Sequence, residues 1–167
     1  PGGWDDAFER AVAGLDAGRA PDTLCAIQAT VAPDRQGQGL SRLVLKAMRF
    51  TAAQHGLKAL IAPVRPTFKS RYPLTPIERY VTWTHTDGRL FDPWLRTHQT
   101  LGARLLQVCP ESMRIPGTVA QWEAWTGLRF PETGDYIVPG ALVPVRVDCE
   151  RDRAEYVEPN VWMQHAV

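Results

Sequence analysis

The sequence contains no apolar run approaching the roughly 18 residues that a membrane-spanning helix needs, and its opening, PGGWDD, has neither the basic nor the apolar stretch of a signal peptide. Cysteine is scarce. The three present, Cys25, Cys109 and Cys149, lie far apart and are odd in number, which argues against a disulfide framework and fits reduced thiols in a cytoplasmic protein. A surplus of charge is missing as well: 19 Lys and Arg against 18 Asp and Glu leave +1, too weak a field to gather nucleic acid or an anionic membrane. The four histidines, His55, His85, His98 and His165, show neither HxxxH nor Cys/His ligand spacing, so no metal is expected. Ser112 stands outside any GxSxG elbow.

What is present is ordinary globular composition. With 167 residues, 44% hydrophobic and 22% charged, the chain has room for one domain over 1–167 with a full core. It opens on Pro1 rather than Met, which points to a longer gene product. Trp4, Phe8, Ala11, Val12 and Leu15 recur at helical spacing, with Asp5 and Asp6 in the first turn and Gly18 at the exit, predicting an amphipathic helix over 4–17. LCAIQATV (24–31) reads as a buried strand stopped by Pro33, and LSRLVLKAMRFTAAQ (40–54) as a helix closed by Gly56. LKALIAPV (57–64) is a second strand. Strand, helix and strand in this order form a right-handed crossover that pairs its strands in parallel. Residues 65–92 read as an irregular insertion rich in proline and aromatics, in which Tyr72, Tyr80 and Trp83, with Trp94 beyond it, either pack together or wall a pocket. PWLRTHQTLGA restarts a helix at Pro93, ARLLQVC is strand-like, residues 117–126 suggest a short helix, and GALVPVRVDCE and AEYVEPNVWM read as two more strands.

The most informative stretch is VAPDRQGQGLSRLVL, where Gly37 and Gly39 stand between a strand end and a helix N-terminus. Glycines there let a ligand approach the backbone, and the free amides of the first turn with the positive dipole end can bind a pyrophosphate without net protein charge. A Walker loop would need GxxxxGK[ST], and a dinucleotide fingerprint a third glycine and an acidic residue after the next strand. Here Leu40, Ser41 and Arg42 follow Gly39, and the next strand ends in Pro63, Val64 and Arg65. Both nucleotide motifs fail.

The loop resembles motif A of the GCN5-related N-acetyltransferase (GNAT) superfamily, Q/R-x-x-G-x-G/A, with Gln36, Gly39 and Ser41 at its defined places and Ser41 where the family has glycine or alanine. The resemblance implies an α/β fold, a GNAT-like mixed sheet with helices on both faces, and an acetyl-CoA or other acyl-CoA co-substrate. Its pyrophosphate would lie on the amides of Gly37, Gln38, Gly39, Leu40 and Ser41, beside Gln36 and Arg42. Its pantetheine would run along the backbone near Ala29 and Val31. HQTLGA (98–103) is similar to the end of the next GNAT helix, Y-x-x-L-G-F, with His98 at the tyrosine position, Leu101 and Gly102 matching, and Ala103 replacing the aromatic. The resemblance gives His98 the task of protonating the leaving thiolate, chemistry that imidazole performs near neutrality.

Two features depart from the family. Only 1–23 precede the motif strand, where a whole GNAT domain has about three strands and two helices, so the N-terminal strands are missing from this chain. The strand at Leu24 would then show a bare edge, to be covered by an N-terminal half or another copy of the chain. A general base is also not evident. Glu158 is the best carboxylate candidate, with a solvated charge as its plain alternative, and Cys25 reads as a small core residue. The reading is therefore acyl transfer from CoA to a small-molecule or peptide amine. Its rivals are a non-catalytic CoA-binding or regulatory module and a nucleotide-binding crossover domain.

Overall fold

The computed structural model describes residues 2–167; Pro1 lies outside the described residues. Helix α1 (Trp4–Asp16) is followed by β1 (Thr23–Cys25), α2 (Leu40–Gln54) and β2 (Ala59–Val64). β1 and β2 are parallel, Thr23 opposite Ala59 and Cys25 opposite Ile61, as the crossover rule requires. The pairing is shorter than the apolar run suggested. After the Ala26 amide donates to the Ile61 carbonyl at 2.8 Å, the chain leaves the sheet, and residues 26–32 continue without a strand partner. The polar side chains of Gln28 and Thr30, both exposed, have no reason to stay on a buried ladder.

Residues 65–92 are more ordered than the sequence suggests. They hold a 3-10 turn at Lys69–Arg71 and helix α3 (Ile77–Tyr80). Phe68, Tyr72, Tyr80, Trp83 and Phe91 join in edge-on and tilted ring contacts, the arrangement aromatic quadrupoles favour. Asp92 binds this cluster to the next helix, α4 (Pro93–Thr100). Its carboxylate caps α4 through the amides of Trp94 (2.9 Å) and Leu95 (3.1 Å), and accepts from the Phe68 amide and the Tyr80 hydroxyl, both at 2.8 Å.

The remaining elements are β3 (Arg104–Gly117), α5 (Val119–Thr126), β4 (Gly134–Tyr136), β5 (Val145–Asp148) and β6 (Arg153–Ala166). β3 runs well past the short strand expected at ARLLQVC, because bulges between Leu105 and Gln107 and between Cys109 and Met113 absorb its irregular pattern. The capping box of Thr118 and Gln121 starts α5. β6 organises the sheet. One edge pairs with β3 from Ala154 to Gln164. The other pairs with β5 at 153–155 and with β2 at 161–166, leaving 156–160 open. Pro159, which has no amide to donate, lies in this gap.

Leu95, Ala103, Ala62, Val64, Val161 and Met163 form one core cluster, and Trp122, Phe130, Val145, Val147 and Tyr156 belong to a second. α2 and α4 share a face of the sheet, where Leu45 and His98 meet Ala62 and Val64, while α1 lies toward Cys25, Ile61 and Trp162. Helices therefore stand on both sides of the sheet, with an open groove between α1 and the sheet. α1 buries no residue, and Phe8, Val12 and Leu15 are exposed, Leu15 by 80%. Its apolar stripe faces solvent rather than a core. β1 ends the sheet, and among the described residues no strand pairs with its outer edge. Among the described residues no helix is long and apolar enough to cross a membrane.

Candidate active site

Where β1 parts from β2, the splay opens a cavity of about 380 Å³ lined by Ala26–Thr30, Ala62–Arg65, Leu45, Trp94, His98 and Glu158, among others. Trp4 helps hold it open. Its indole Nε1 donates to the Ile27 carbonyl at 3.0 Å, and its own amide donates to Ser112 Oγ at 2.8 Å. Ser112, fully buried, donates in turn to Asn160 Oδ1. The serine is thus occupied in structure, with no base beside it of the kind a nucleophile needs. Ala29 is on the cavity wall, and its backbone makes no hydrogen bond among the described residues. Val31 lies beyond the wall, its carbonyl accepting from Gln36 Nε2 at 3.4 Å.

The free stretch leads to the glycine turn. Gly37 and Gly39 both have φ of +76°, and a Cβ built on either meets nothing within 4 Å. Only glycine takes this left-handed conformation without strain, and the side a Cβ would occupy is open space. Gly39 precedes α2 with no side-chain cap. Among the described residues the amides of Gly37, Gln38, Gly39, Leu40 and Ser41 find no acceptor, the first helical bonds being those of Arg42 and Leu43 to the Gly39 carbonyl. Unpartnered amides at the positive end of a long helix are able to hold an anion. Gln38 turns aside to the Asp34 carbonyl, and Arg42 is exposed beside the turn.

His98 sits at the other end of the cavity. It is only 1% exposed, and its Nδ1 lies 3.0 Å from Nε2 of the equally buried His165. Its Nε2 has no hydrogen-bond partner among the described residues. Trp94 packs against the ring at 4.5 Å. Burial, with His165 a lesser cause, lowers the His98 pKa to about 3, so the ring is neutral near pH 7. The cationic acid foreseen from the sequence is not its resting state.

Glu158 is not a solvated charge. It is 6% exposed and accepts from Arg65 Nε at 2.8 Å, the Tyr156 hydroxyl at 3.0 Å and Asn160 Nδ2 at 3.3 Å. It lines the cavity within the gap of β6, already paired with Arg65, whose Nη2 also donates to the Gly140 carbonyl at 2.6 Å. Cys25 faces away from this cavity, and burial pushes its thiol up to about 11, as expected of an inert packing residue. Trp94 reaches the cavity, whereas Tyr72, Tyr80 and Trp83 pack in the aromatic cluster.

Four residues of the site that escaped sequence reasoning are Trp4, Arg65, Asn160 and His165. Each meets its partner across a long separation, as between His98 and His165, 67 positions apart, and no local pattern encodes such a meeting.

Comparison with known proteins finds relatives of this chain. The chain is 36% identical over 186 aligned residues to an arginine N-acetyltransferase, avaD, of Aspergillus versicolor, covering 99% of this chain and 64% of that protein. It therefore spans a little under two thirds of that relative's length. The crystal structure of the loading GNATL domain of CurA from Lyngbya majuscula superposes with a TM-score of 0.53 at 19% identity, over 92% of this chain and 60% of that one. A GNAT-like decarboxylase, GphF, in complex with isobutyryl-CoA, gives 0.49 at 18%, over 92% and 62%. No protein-family profile matches the chain. The mixed sheet with a splayed strand pair and a glycine turn at a helix start has a GNAT-like fold, and over nearly its whole length the chain is similar to an N-acetyltransferase.

Proposed function

We propose that the protein transfers an acyl group, acetyl first among those to test, from CoA to an amine by direct attack. The observation that carries this reading is the stretch 26–32, which has no strand partner, lines the cavity with His98 at Ala26–Thr30, and leads on to the amides of Gly37–Ser41, unpartnered among the described residues. The turn receives the pyrophosphate, assisted by Arg42. Ala29 offers its backbone to the pantetheine, and Val31 the amide that its bond with Gln36 leaves free. The thioester then lies toward His98, which supplies the leaving thiolate with a proton. The amine acceptor enters from the side of Arg65, Glu158 and Asn160. Arginine, the substrate in the relative's name, is the first acceptor to try.

The bare outer edge of β1 and the exposed stripe of α1 support a second part of the proposal. An N-terminal half of the polypeptide, or another copy of the chain, covers them and completes the acceptor pocket.

The test is turnover of acetyl-CoA by the intact protein with arginine and a panel of amines, the product identified by mass. An N-acetylated product formed with release of free CoA supports the reading. CoA binding without turnover of any amine would favour the non-catalytic module, and preference for ATP or NAD over CoA would return the turn to nucleotide binding.

A further inference from the structure

Arg65 and Glu158 are the charged residues of the cavity wall, and the protein's own contacts do not use them up. Glu158 Oε2 is saturated, accepting from Arg65 Nε at 2.8 Å and from the Tyr156 hydroxyl at 3.0 Å. Its Oε1 receives one long bond, 3.3 Å from Asn160 Nδ2, although a carboxylate oxygen has room for two. The guanidinium is also partly engaged: Nε goes to Glu158 and Nη2 to the Gly140 carbonyl, while Nη1 has no hydrogen bond among the described residues. The neighbours hold the pair still. The Tyr156 hydroxyl accepts from the Leu142 amide at 2.9 Å as it donates to Glu158, and Asn160 is fixed by Ser112 and by the Pro159 carbonyl. Arg65 is exposed and Glu158 only 6% so, so a ligand entering from solvent meets the pair where water screens its inner charge weakly.

Charge and covalent geometry together narrow what such a ligand is. The pair is neutral as a whole, so a lone cation drawn to Glu158 meets Arg65, and a lone anion drawn to Arg65 meets Glu158. A ligand bearing both signs gains from both. Nη1 shares Cζ with Nε, Oε1 shares Cδ with Oε2, and Nε and Oε2 are in contact, so the free atoms lie close together and the ligand's two charges must be near neighbours. An α-amino acid carries its ammonium and carboxylate on one carbon. A simple amine lacks the carboxylate, and a peptide holds it far from the amine.

We propose that Arg65 and Glu158 are the specificity-determining pair of the acceptor site, Arg65 Nη1 holding the carboxylate and Glu158 Oε1 the ammonium of a free α-amino acid. The inference rests on the acyl-transfer reading above and narrows its acceptor to that class. The experiment is calorimetric titration of the common L-amino acids, arginine first, into the intact protein with CoA present. At least one should bind. Its amide, which lacks the carboxylate, and its deaminated acid, which lacks the ammonium, should each bind roughly 10-fold or more weakly, the scale of a hydrogen bond to a charged group. Binding of no amino acid, or equal binding of the amide or the deaminated acid, overturns the proposal. Arg65→Gln should bring amino acid and amide within about threefold of each other. Since that change leaves Glu158 buried without its cation, the double variant Arg65→Gln with Glu158→Gln, which removes both charges, is measured beside it. It should show the same loss of discrimination, and retained discrimination in either folded variant overturns the assignment. Should the single variant fail to fold, the double variant and the wild-type ligand series decide. The two readings fail separately: a protein that binds the amino acid but acylates no amine loses the acyl-transfer reading and keeps the head-group site, whereas one that acylates simple amines as well as amino acids keeps that reading and overturns this inference.

Discussion

At His98, burial and geometry favour the same neutral state, and this gives the residue two separable signatures. On the proposed role of proton carrier at the thioester, His98→Ala should lower turnover by roughly 100-fold or more while CoA affinity stays within about twofold. As a buried imidazole, it links stability to acidity. Its folded pKa of about 3 lies below the ordinary 6.5, so the unfolded chain binds more protons between these values. The stability it contributes is present above pH 6.5 and lost as pH falls toward 3, on the order of 4 kcal/mol across the window. His165, also lowered, acts in the same direction. Urea titrations at pH 7, 5 and 4 should show that loss in the wild type and a flatter profile in His98→Gln. The glycine turn at Gly37 and Gly39 was legible from sequence because a glycine turn before a helix is a local pattern. The occupation of Glu158 by Arg65 was not, because it joins residues 93 positions apart across the gap in β6.

Among the elements, α4 depends on a single carboxylate. Asp92 is 2% exposed and serves the cap of α4, the Phe68 amide and the Tyr80 hydroxyl together. Asp92→Ala removes the cap and strands a buried hydroxyl, a combined cost of about 3 kcal/mol, measurable as a lower urea midpoint. Because α4 carries His98, turnover should fall even at temperatures where the variant remains folded. Helices α1, α2, α4 and α5 were readable, having periodicity, Pro at a first turn or glycine at an exit. β1 was readable as apolar but not in its length, since only pairing distinguishes the three residues that join β2 from those that splay away. β4, only three residues long, and the bulged extension of β3 have no pattern of their own; long-range pairing defines them. The insertion looked irregular because its order comes from aromatic contacts and one aspartate rather than from repeating hydrogen bonds.

In the whole molecule, the sheet ends at β1 with an open edge, and α1 exposes an apolar stripe beside it. These are the surfaces that the proposed N-terminal half or second copy would bury. Residues 1–167 expressed alone should therefore self-associate or be poorly soluble, and a version extended upstream should be monodisperse and turn over acyl-CoA faster, as sizing and kinetics on the two would show. A monomeric and fully active short chain would contradict that part of the account. The central claim is that the glycine turn holds the pyrophosphate of CoA at the start of α2, and calorimetric titration of CoA into the intact protein and its Gly39→Val variant tests it most directly. A β-branched residue is strained at a φ of +76°, and its side chain fills the open space beside the free amides. The account predicts CoA binding to the wild type and loss of at least about 100-fold in affinity in the variant, with circular dichroism and the unfolding midpoint confirming a folded protein. Arg42→Ala should weaken binding by no more than about fivefold. A folded Gly39→Val protein that binds CoA as the wild type does would contradict the account.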